Sequence, residues 1–597
     1  MIFNPKKMGK INLNKFPVPA VTFGIFFLFI AVYFAVYATQ LFFFQEKTSL
    51  FIFSADFLHE NLRQPGGLLV YFTKFVTTFF YYPIAGAITV SLVITLIALT
   101  TSEILIRLTG KKFRVLAFIL GTGLFYLQTN YQFMFIYNLG LLLQLSIFLL
   151  SISYSTQLKG WIPVALAPLC VFFMGGFVWI YLWMTILTLI LQWNKKAVFK
   201  VFVLLTVLSS CFFVSMHYIY FQSLKTLLLF PFTTVVEGMK FGLYFTIAGI
   251  IALLQLLAKV KIALPEKWRL SEPVMGWITF PCLLVALVLI GITQSDRKTR
   301  DYFEVEKLFS QEKYKEVIAF NIVHPSLNKL TIYLNNIALC ETGQLNDFLF
   351  HFPQMPDGST LFLKWELEGE VLRRGAYFYY TIGMINEAQR WAFENMVMKG
   401  HTPEGLKMLI KTSLINGNFE MAKKYISILK QTLFYREDAI RYESMCLNNK
   451  LVEADPDLGE KVKNKLKSDF FTISEDPYVN IERILANDSL NRKAMDYKIA
   501  LVLLQKNFKG VAEILPKLER CGYTKIPIHL QEAALEYKVL NFGPLPQPGN
   551  LAFSPDVEIN WGQFITTFKP FNNNIRAAEP TLRGNFRYTF WYYAFYR

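Results

Sequence analysis

The first 293 residues are a succession of apolar runs, and about 20 consecutive apolar residues is what a membrane-crossing helix requires. Residues 18–44, 83–107, 113–128, 133–154, 198–220, 241–258 and 274–293 each read as one crossing. Between Trp161 and Trp193 lie 33 largely apolar residues broken by Gly175-Gly176, long for one crossing and short for two. Glycine weakens a helix interior by about 1 kcal/mol relative to alanine. We therefore read two short crossings joined by a tight turn at the glycines, nine in all; a single tilted crossing there would make eight.

Charge tests that count. The 597 residues are 54% hydrophobic and 17% charged, with 58 phenylalanines and a mean hydropathy of +0.35, values that exclude a wholly soluble or mainly disordered chain. The net charge is +17, but it is unevenly spread. Residues 1–293 carry 21 Lys and Arg against 7 acids, and residues 294–597 carry 39 against 36. No basic cluster marks a nucleic-acid surface. With nine crossings, 16 basic residues fall in connections on the N-terminal side, from Lys6, Lys7, Lys10 and Lys15 to Lys267 and Arg269. Only Lys47, Arg63, Lys74, Lys225 and Lys240 fall opposite. Positive charge accumulates in cytoplasmic loops, which predicts a cytoplasmic N-terminus and an extracytoplasmic tail, at the inner membrane. Eight crossings would move Lys195, Lys196 and Lys200 outside. A cleaved signal peptide is not expected, since the first apolar run is too long and no small-residue cleavage site follows it.

The longest outer connection, residues 45–82, has a polar first half and an apolar, aromatic second half from Leu68 to Tyr82 with the single cation Lys74. The second half suits a helix lying at the interface. Four acids face outward in this half of the chain: Glu46, Asp56, Glu60 and Glu237. Asp56 and Glu60 are four apart and share a helix face, with His59 between them. An acid beside a membrane is solvated, paired or used. A solvated loop or a helix N-terminus favoured by negative charge accounts for them without chemistry, and Pro65-Gly66-Gly67 is most simply a turn.

Enzyme motifs are otherwise missing: no GxGxxG, GxxxxGK[ST], HExxH or GxSxG occurs, and the six histidines are scattered. Cys170, Cys211 and Cys282 lie in crossings and Cys340, Cys446 and Cys521 in the tail, with no CxxC spacing for zinc. The three tail cysteines permit at most one intramolecular disulfide.

From Asp301 onward the pattern changes to amphipathic helices of 10–16 residues. A short element recurs: Gly417-Asn-Phe419-Glu-Met-Ala422, Gly383-Met-Ile385-Asn-Glu-Ala388, Gly343-Gln-Leu345, Glu312-Lys-Tyr314-Lys-Glu-Val317 and Lys506-Asn-Phe508-Lys-Gly-Val511. The first four copies in chain order begin 31, 40 and 34 residues apart. In a helical hairpin the first residue makes the turn, the bulky third packs back, and the small sixth admits the second helix. This resembles the tetratricopeptide repeat over roughly residues 301–440 and 478–540, without its early tryptophan. Stacked hairpins present a concave binding surface. Residues 543–556 contain Pro544, Pro546, Pro548 and Pro555 and read as a linker to the aromatic end, Phe590-Trp-Tyr-Tyr-Ala-Phe-Tyr596. That end is expected to dock on the repeats. The expected architecture is thus all-α: a polytopic domain 1–293, a helical-repeat domain 294–542 and a C-terminal segment 543–597.

Two resemblances bear on function. An acidic first outer loop, an interfacial helix and a helical-repeat tail resemble the polyprenyl-phosphate-dependent glycosyltransferases of the GT-C type. That resemblance implies Asp56, with Glu60, as catalytic base or ligand of a divalent metal, a lipid-linked sugar donor, and Arg63 or Lys74 at the lipid phosphate. The paired acids common in that group are missing, since Phe57 follows Asp56, so the likeness is architectural. The whole chain also resembles an uncharacterised family of bacterial polytopic membrane proteins, through Gln64-Pro-Gly-Gly67, Asn336-Ile-Ala-Leu339 with Gly343, Asn491-Arg-Lys-Ala494-Met-Asp-Tyr497 and Trp591-Tyr-Tyr593. Two function classes follow: glycosyl transfer at the outer face, the tail holding the acceptor, or a non-enzymatic envelope scaffold recruiting a protein or glycan partner through the tail. A transporter is disfavoured because the crossings hold almost no acids.

Overall fold

The computed structural model describes residues 18–110, 114–154, 161–191, 195–232, 241–258, 272–366, 370–465, 471–472, 476–540, 543–572 and 574–597. Every regular element among them is helical. The chain divides into two compact units, Met1–Asp296 and Arg297–Arg597.

The first unit contains α1 (Val18–Tyr37), α2 (Gln40–Thr48), α3 (Ala55–Leu62), α4 (Gly67–Thr78), α5 (Pro83–Thr109), α6 (Arg114–Gln128), α7 (Phe135–Tyr154), α8 (Ile162–Met174), α9 (Val178–Leu191), α10 (Lys195–Val214), α11 (Leu224–Leu229), α12 (Phe241–Leu253) and α13 (Glu272–Thr293). Four helical runs are long and apolar enough to cross a membrane: Pro83–Thr109, Phe135–Tyr154, Ile162–Leu191 and Lys195–Ile219; a bent pair, Val21–Tyr37 with Gln40–Thr48, makes a fifth. The bent pair departs from the sequence reading of 18–44 as one helix. The chain turns by 81° between α1 and α2. No Pro or Gly marks the bend. Its cause is tertiary: Leu41, Phe42, Phe44, Gln45, Glu46 and Lys47 are all buried on the redirected helix.

The run Ile162–Leu191 folds back on itself. The Tyr181 hydroxyl donates to the carbonyl of Pro163 at 3.0 Å. Eighteen residues of unbroken helix would separate the two by about 27 Å. The reversal occurs at Gly175, where φ is +57° and ψ −129°, followed by a single 3₁₀ turn, Gly175–Phe177. Each arm, of 13 and 14 residues, is about 20 Å long. A bundle of aromatics fills the unit, with Phe34, Phe42, Phe80, Phe125, Phe135, Phe148, Phe177, Tyr181 and Tyr244 all at most 2% exposed.

The second unit opens with α14 (Arg297–Ser310), α15 (Tyr314–Val323) and α16 (Lys329–Glu341) and continues through short helices to Tyr596. The recurring sequence element has one geometry in all five copies. Its first residue has positive φ: Glu312 (+59°), Gly343 (+70°), Gly383 (+89°), Gly417 (+73°) and Lys506 (+53°). The next amide then reaches back to close the preceding helix: Lys313 N to Leu308 O at 3.0 Å, Gln344 N to Leu339 O at 2.7 Å, Met384 N to Tyr379 O at 2.8 Å, Asn418 N to Ser413 O at 2.8 Å and Asn507 N to Val502 O at 3.0 Å. This is the six-to-one closure of a helix C-terminus around a left-handed residue. The third residue opens the next helix in every copy: Tyr314, Leu345, Ile385, Phe419 and Phe508. The sixth is buried in four of them, at Val317, Ala388, Ala422 and Val511.

Two buried cations in this unit are paired with carboxylates. Arg374 is fully buried and is hydrogen-bonded to Glu306 and, at 3.1 Å, to Glu370, with Glu404 3.9 Å away. Lys461, also buried, donates to the Thr381 carbonyl at 2.9 Å and lies 3.7 Å from Glu341. At the end of the chain Trp591 is fully buried and donates from Nε1 to Glu532 O at 2.8 Å, while the Glu532 carboxylate accepts from Phe590 N at 2.7 Å. The aromatic end therefore docks on the helix Ile528–Val539.

Candidate functional site

The residues singled out between 45 and 82 lie on a helical hairpin, α3 and α4. Ser54 starts α3 by accepting from Phe57 N at 3.1 Å, which satisfies one of the orphan amides of the first turn. Asp56 sits in that first turn, where a carboxylate is favoured by the helix dipole. Asp56, His59, Glu60 and Arg63 are all exposed. Phe57 points the other way, buried against Phe51 and Tyr71.

Lys74 on α4 is half-buried, its ammonium 5.0 Å above the Phe57 ring. Burial lowers its pKa from the ordinary lysine value, and the Glu60 carboxylate works against that shift. Lys74 and Glu60 are thus brought together electrostatically across the hairpin. Among the described residues Asp56 and Arg63 join no ion pair. Glu46 is buried on α2, and Glu237 lies outside the described residues. No group of three or more His, Cys, Asp or Glu side chains converges as a metal site among the described residues, so Asp56, His59 and Glu60 do not present a metal-ligand set.

The hairpin rests on a junction of three chain reversals, of which the sequence offered the turns at Gly66-Gly67 and Gly175-Gly176 separately and the one at Phe230 not at all. Gly66 N donates to Phe172 O at 3.1 Å, and Gly176 N donates to Phe230 O at 2.7 Å. A Cβ on Gly66 would lie 2.8 Å from Gly175 N, and one on Gly175 would lie 2.7 Å from Phe230 O and 3.0 Å from Pro65 O. Both glycines also have positive φ. Trp179 Nε1 adds a bond to Leu228 O at 2.9 Å. Backbone that leaves its helices here is bonded to the last-turn carbonyls of α8 and α11 and to the Phe230 turn, a condition for irregular chain in an apolar body.

A fourth connection joins through buried amides. Gln45 donates to Phe133 O and accepts from Phe135 N, both at 3.1 Å. Gln128 donates to the same Phe133 carbonyl at 3.0 Å and accepts from Asn138 at 2.7 Å. These three amides, each at most 2% exposed, tie α2 to the turn between α6 and α7. Nothing in the sequence distinguished them from other polar residues in apolar runs; the one available signal was their position next to predicted crossing ends.

The arrangement ties the α3–α4 hairpin to neighbouring chain reversals and leaves Asp56 and Glu60 in solvent, with Glu60 close enough to the partly desolvated Lys74 to oppose its shift. It can present two carboxylates and a cation to an anionic or hydroxyl-rich ligand. No curated protein and no solved structure matches the chain. Over residues 15–597 it matches one family, and it belongs to that family, a family of unknown function (DUF6057).

Proposed function

We propose that the protein is a nine-crossing membrane protein with a cytoplasmic N-terminus and an extracytoplasmic repeat tail, acting at the outer face of the cytoplasmic membrane. One observation carries this reading. The connections that charge counting assigns to one face hold on to one another. Residues 45–82 bond to the turn 129–134 through Gln45, to the Gly175 reversal through Gly66, and that reversal bonds to Phe230. The opposite ends pair likewise: Arg107 with Ser153, Lys200 over Trp161 at 5.7 Å, and Thr188 with Gln255 at 2.7 Å. The fold-back of α8 and α9 supports nine crossings over eight, because it returns Lys195 to the side of Trp161. A reporter enzyme fused after Gln294 should be active only outside; activity in the cytoplasm overturns the topology.

On this face the leading activity is glycosyl transfer of the GT-C kind from a polyprenyl-phosphate sugar. Asp56 is its catalytic acid/base, Glu60 its second carboxylate, and Arg63 and Lys74 the cations for the lipid phosphate. The exposure of Asp56 and Glu60 on a helix braced from below supports this reading. Because the carboxylates do not converge as a metal-ligand set, no step is assigned to a metal. Asp56→Asn and Glu60→Gln should each abolish turnover of lipid-linked sugar in membranes; unchanged envelope glycans in both variants would sink the enzyme reading. The second reading, an envelope scaffold, is favoured by the turn repeated five times in the tail. Stacked hairpins of tetratricopeptide type present a partner surface. A tail fused to an unrelated span that rescues the defect of cells lacking the protein would select this second reading.

A further inference from the structure

Two of the six scattered histidines meet inside the tail. His351 ends the 3₁₀ turn Leu349–His351, and His529 lies in the first turn of the helix Ile528–Val539. Far apart in sequence, their ring centroids stand 6.3 Å apart. The surroundings of His529 fix its proton. Its Nδ1 lies 2.8 Å from Glu532 Oε2, and the same oxygen accepts from Phe590 N at 2.7 Å. An ionised carboxylate only accepts, so Nδ1 is the donor and the Nε2 lone pair is left for another partner. That Nε2 is buried in a side chain of a residue 1% exposed, and it makes no hydrogen bond among the described residues. A buried acceptor left in this state is costly.

A histidine that donates one ring nitrogen to a carboxylate and keeps the other bare has the arrangement of a metal ligand. The carboxylate fixes the tautomer and raises the basicity of the ligating nitrogen. His351 supplies a second imidazole. Its ring stacks on Tyr588 at 4.6 Å and 4°, and the residue is exposed, which gives an ion a route in. Burial of the packed side, then His529 and Arg587, lower its pKa to about 4, so the ring is neutral near pH 7, the form that ligates. Two imidazoles that share one ion at about 2 Å per bond have centroids at most about 6.4 Å apart, and the observed 6.3 Å lies inside that limit. No third His, Cys, Asp or Glu converges on the pair among the described residues, so solvent completes the coordination. Imidazole donors select copper and zinc over magnesium and calcium, and copper above zinc.

We propose that His351 and His529 form a two-imidazole site for a transition-metal ion, copper before zinc, with Glu532 as the carboxylate that orients His529 toward it. The ion ties the Leu349–His351 turn to the helix on which the aromatic end docks, since Glu532 also holds Phe590 and Trp591. The test uses the full-length, untagged protein in detergent, stripped with a chelator and with its exposed thiols alkylated. It is titrated with Cu(II) and followed by electron paramagnetic resonance. The first equivalent is expected to show nitrogen splitting from two imidazoles. His351→Gln, a change at the surface, should weaken that equivalent at least tenfold and leave splitting from one imidazole. His324→Gln, elsewhere in the tail, should change neither. Zn(II) should raise the melting temperature of the parent and of His324→Gln, and should not raise that of His351→Gln. Two-imidazole splitting that survives His351→Gln, or that is lost equally in His324→Gln, assigns the ion to other histidines and overturns the site. A parent that shows one imidazole or none, or a Zn(II) response equal in all three chains, overturns it as well.

Discussion

The amide of Gly176 donates to the carbonyl of Phe230 at 2.7 Å, and the neighbouring Gly175 is wedged between that carbonyl and the carbonyl of Pro65. Two requirements coincide at Gly175. Its φ of +57° penalises any side chain, and an added Cβ would stand 2.7 Å from Phe230 O. A backbone with φ +57° and ψ −129°, outside the left-handed helical well, costs an L-residue about 1–3 kcal/mol. Gly175→Ala should therefore lower the detergent-solubilised melting temperature well beyond that penalty and reduce folded yield. Gly24→Ala, inside helix α1 with nothing within 4 Å, should lower neither and can raise the melting temperature slightly. Equal melting temperatures for the two variants would refute the junction as a support of the fold.

The tail offers a cleaner measure of the same effect. Gly417 has φ +73° and open space around its missing Cβ, so an alanine there meets strain without a clash. Gly417→Ala should cost about 1–2 kcal/mol of tail stability. Gly562 also has open space but lies within the helix Pro555–Phe568. Gly562→Ala should stabilise by up to about 1 kcal/mol. Denaturant titration of the two variants should move in opposite directions; movement in the same direction contradicts the turn assignment.

The five turns also mark how far sequence reasoning reached. Gly383 and Gly417 announced themselves, and Glu312 and Lys506 were found only because each stands two residues before a bulky side chain and five before a valine. The reversal at Gly175-Gly176 was equally legible, because glycine is a local signal. What stayed hidden was long-range. Asn346 donates to Asp496 O at 3.0 Å across 150 residues, and Gly66 meets Gly175 across more than a hundred. No periodicity encodes such pairs. The bend after Tyr37 was missed for a related reason: its residues are as apolar as those of a straight helix, and burial of α2 sets the angle. Of the candidate site, the helix after Gly67 and the shared face of Asp56 and Glu60 were legible from composition and spacing, whereas the pairing of α3 with α4, the Glu60–Lys74 proximity and the amides Gln45, Gln128 and Asn138 depended on packing.

Arg374 is the most demanding charge in the tail. It is fully buried with Glu306, Glu370 and Glu404 around it. Removing one partner from a buried ion group leaves uncompensated charge, at a cost of about 3–5 kcal/mol. Arg374→Met should unfold the tail at markedly lower urea concentration, while Glu306→Gln/Arg374→Met together should recover part of the loss. Failure of the double variant to exceed the single one would mean that packing, and not charge, sets the cost.

Glu536 makes the tail sensitive to pH. It is 7% exposed, and burial pushes its carboxyl up to about 7, opposed only in part by the charge of Lys506. A carboxyl whose folded pKa is raised prefers to keep its proton in the folded state. Its unfolded counterpart loses the proton near the ordinary value of 4.5, so stability is full below that point and declines as pH rises to about 7. The loss over that window is on the order of 3 kcal/mol. His351 slopes the other way: burial and His529 depress it to about 4, so its contribution is lost as pH falls from 6.5 towards 4. Comparing Glu536→Gln with the parent chain cancels the histidine. The variant should match the parent near pH 4.5 and exceed it increasingly up to pH 7, read as slower amide hydrogen exchange in the helix Ile528–Val539. A difference that stays constant across this range would mean that Glu536 does not change its protonation on unfolding.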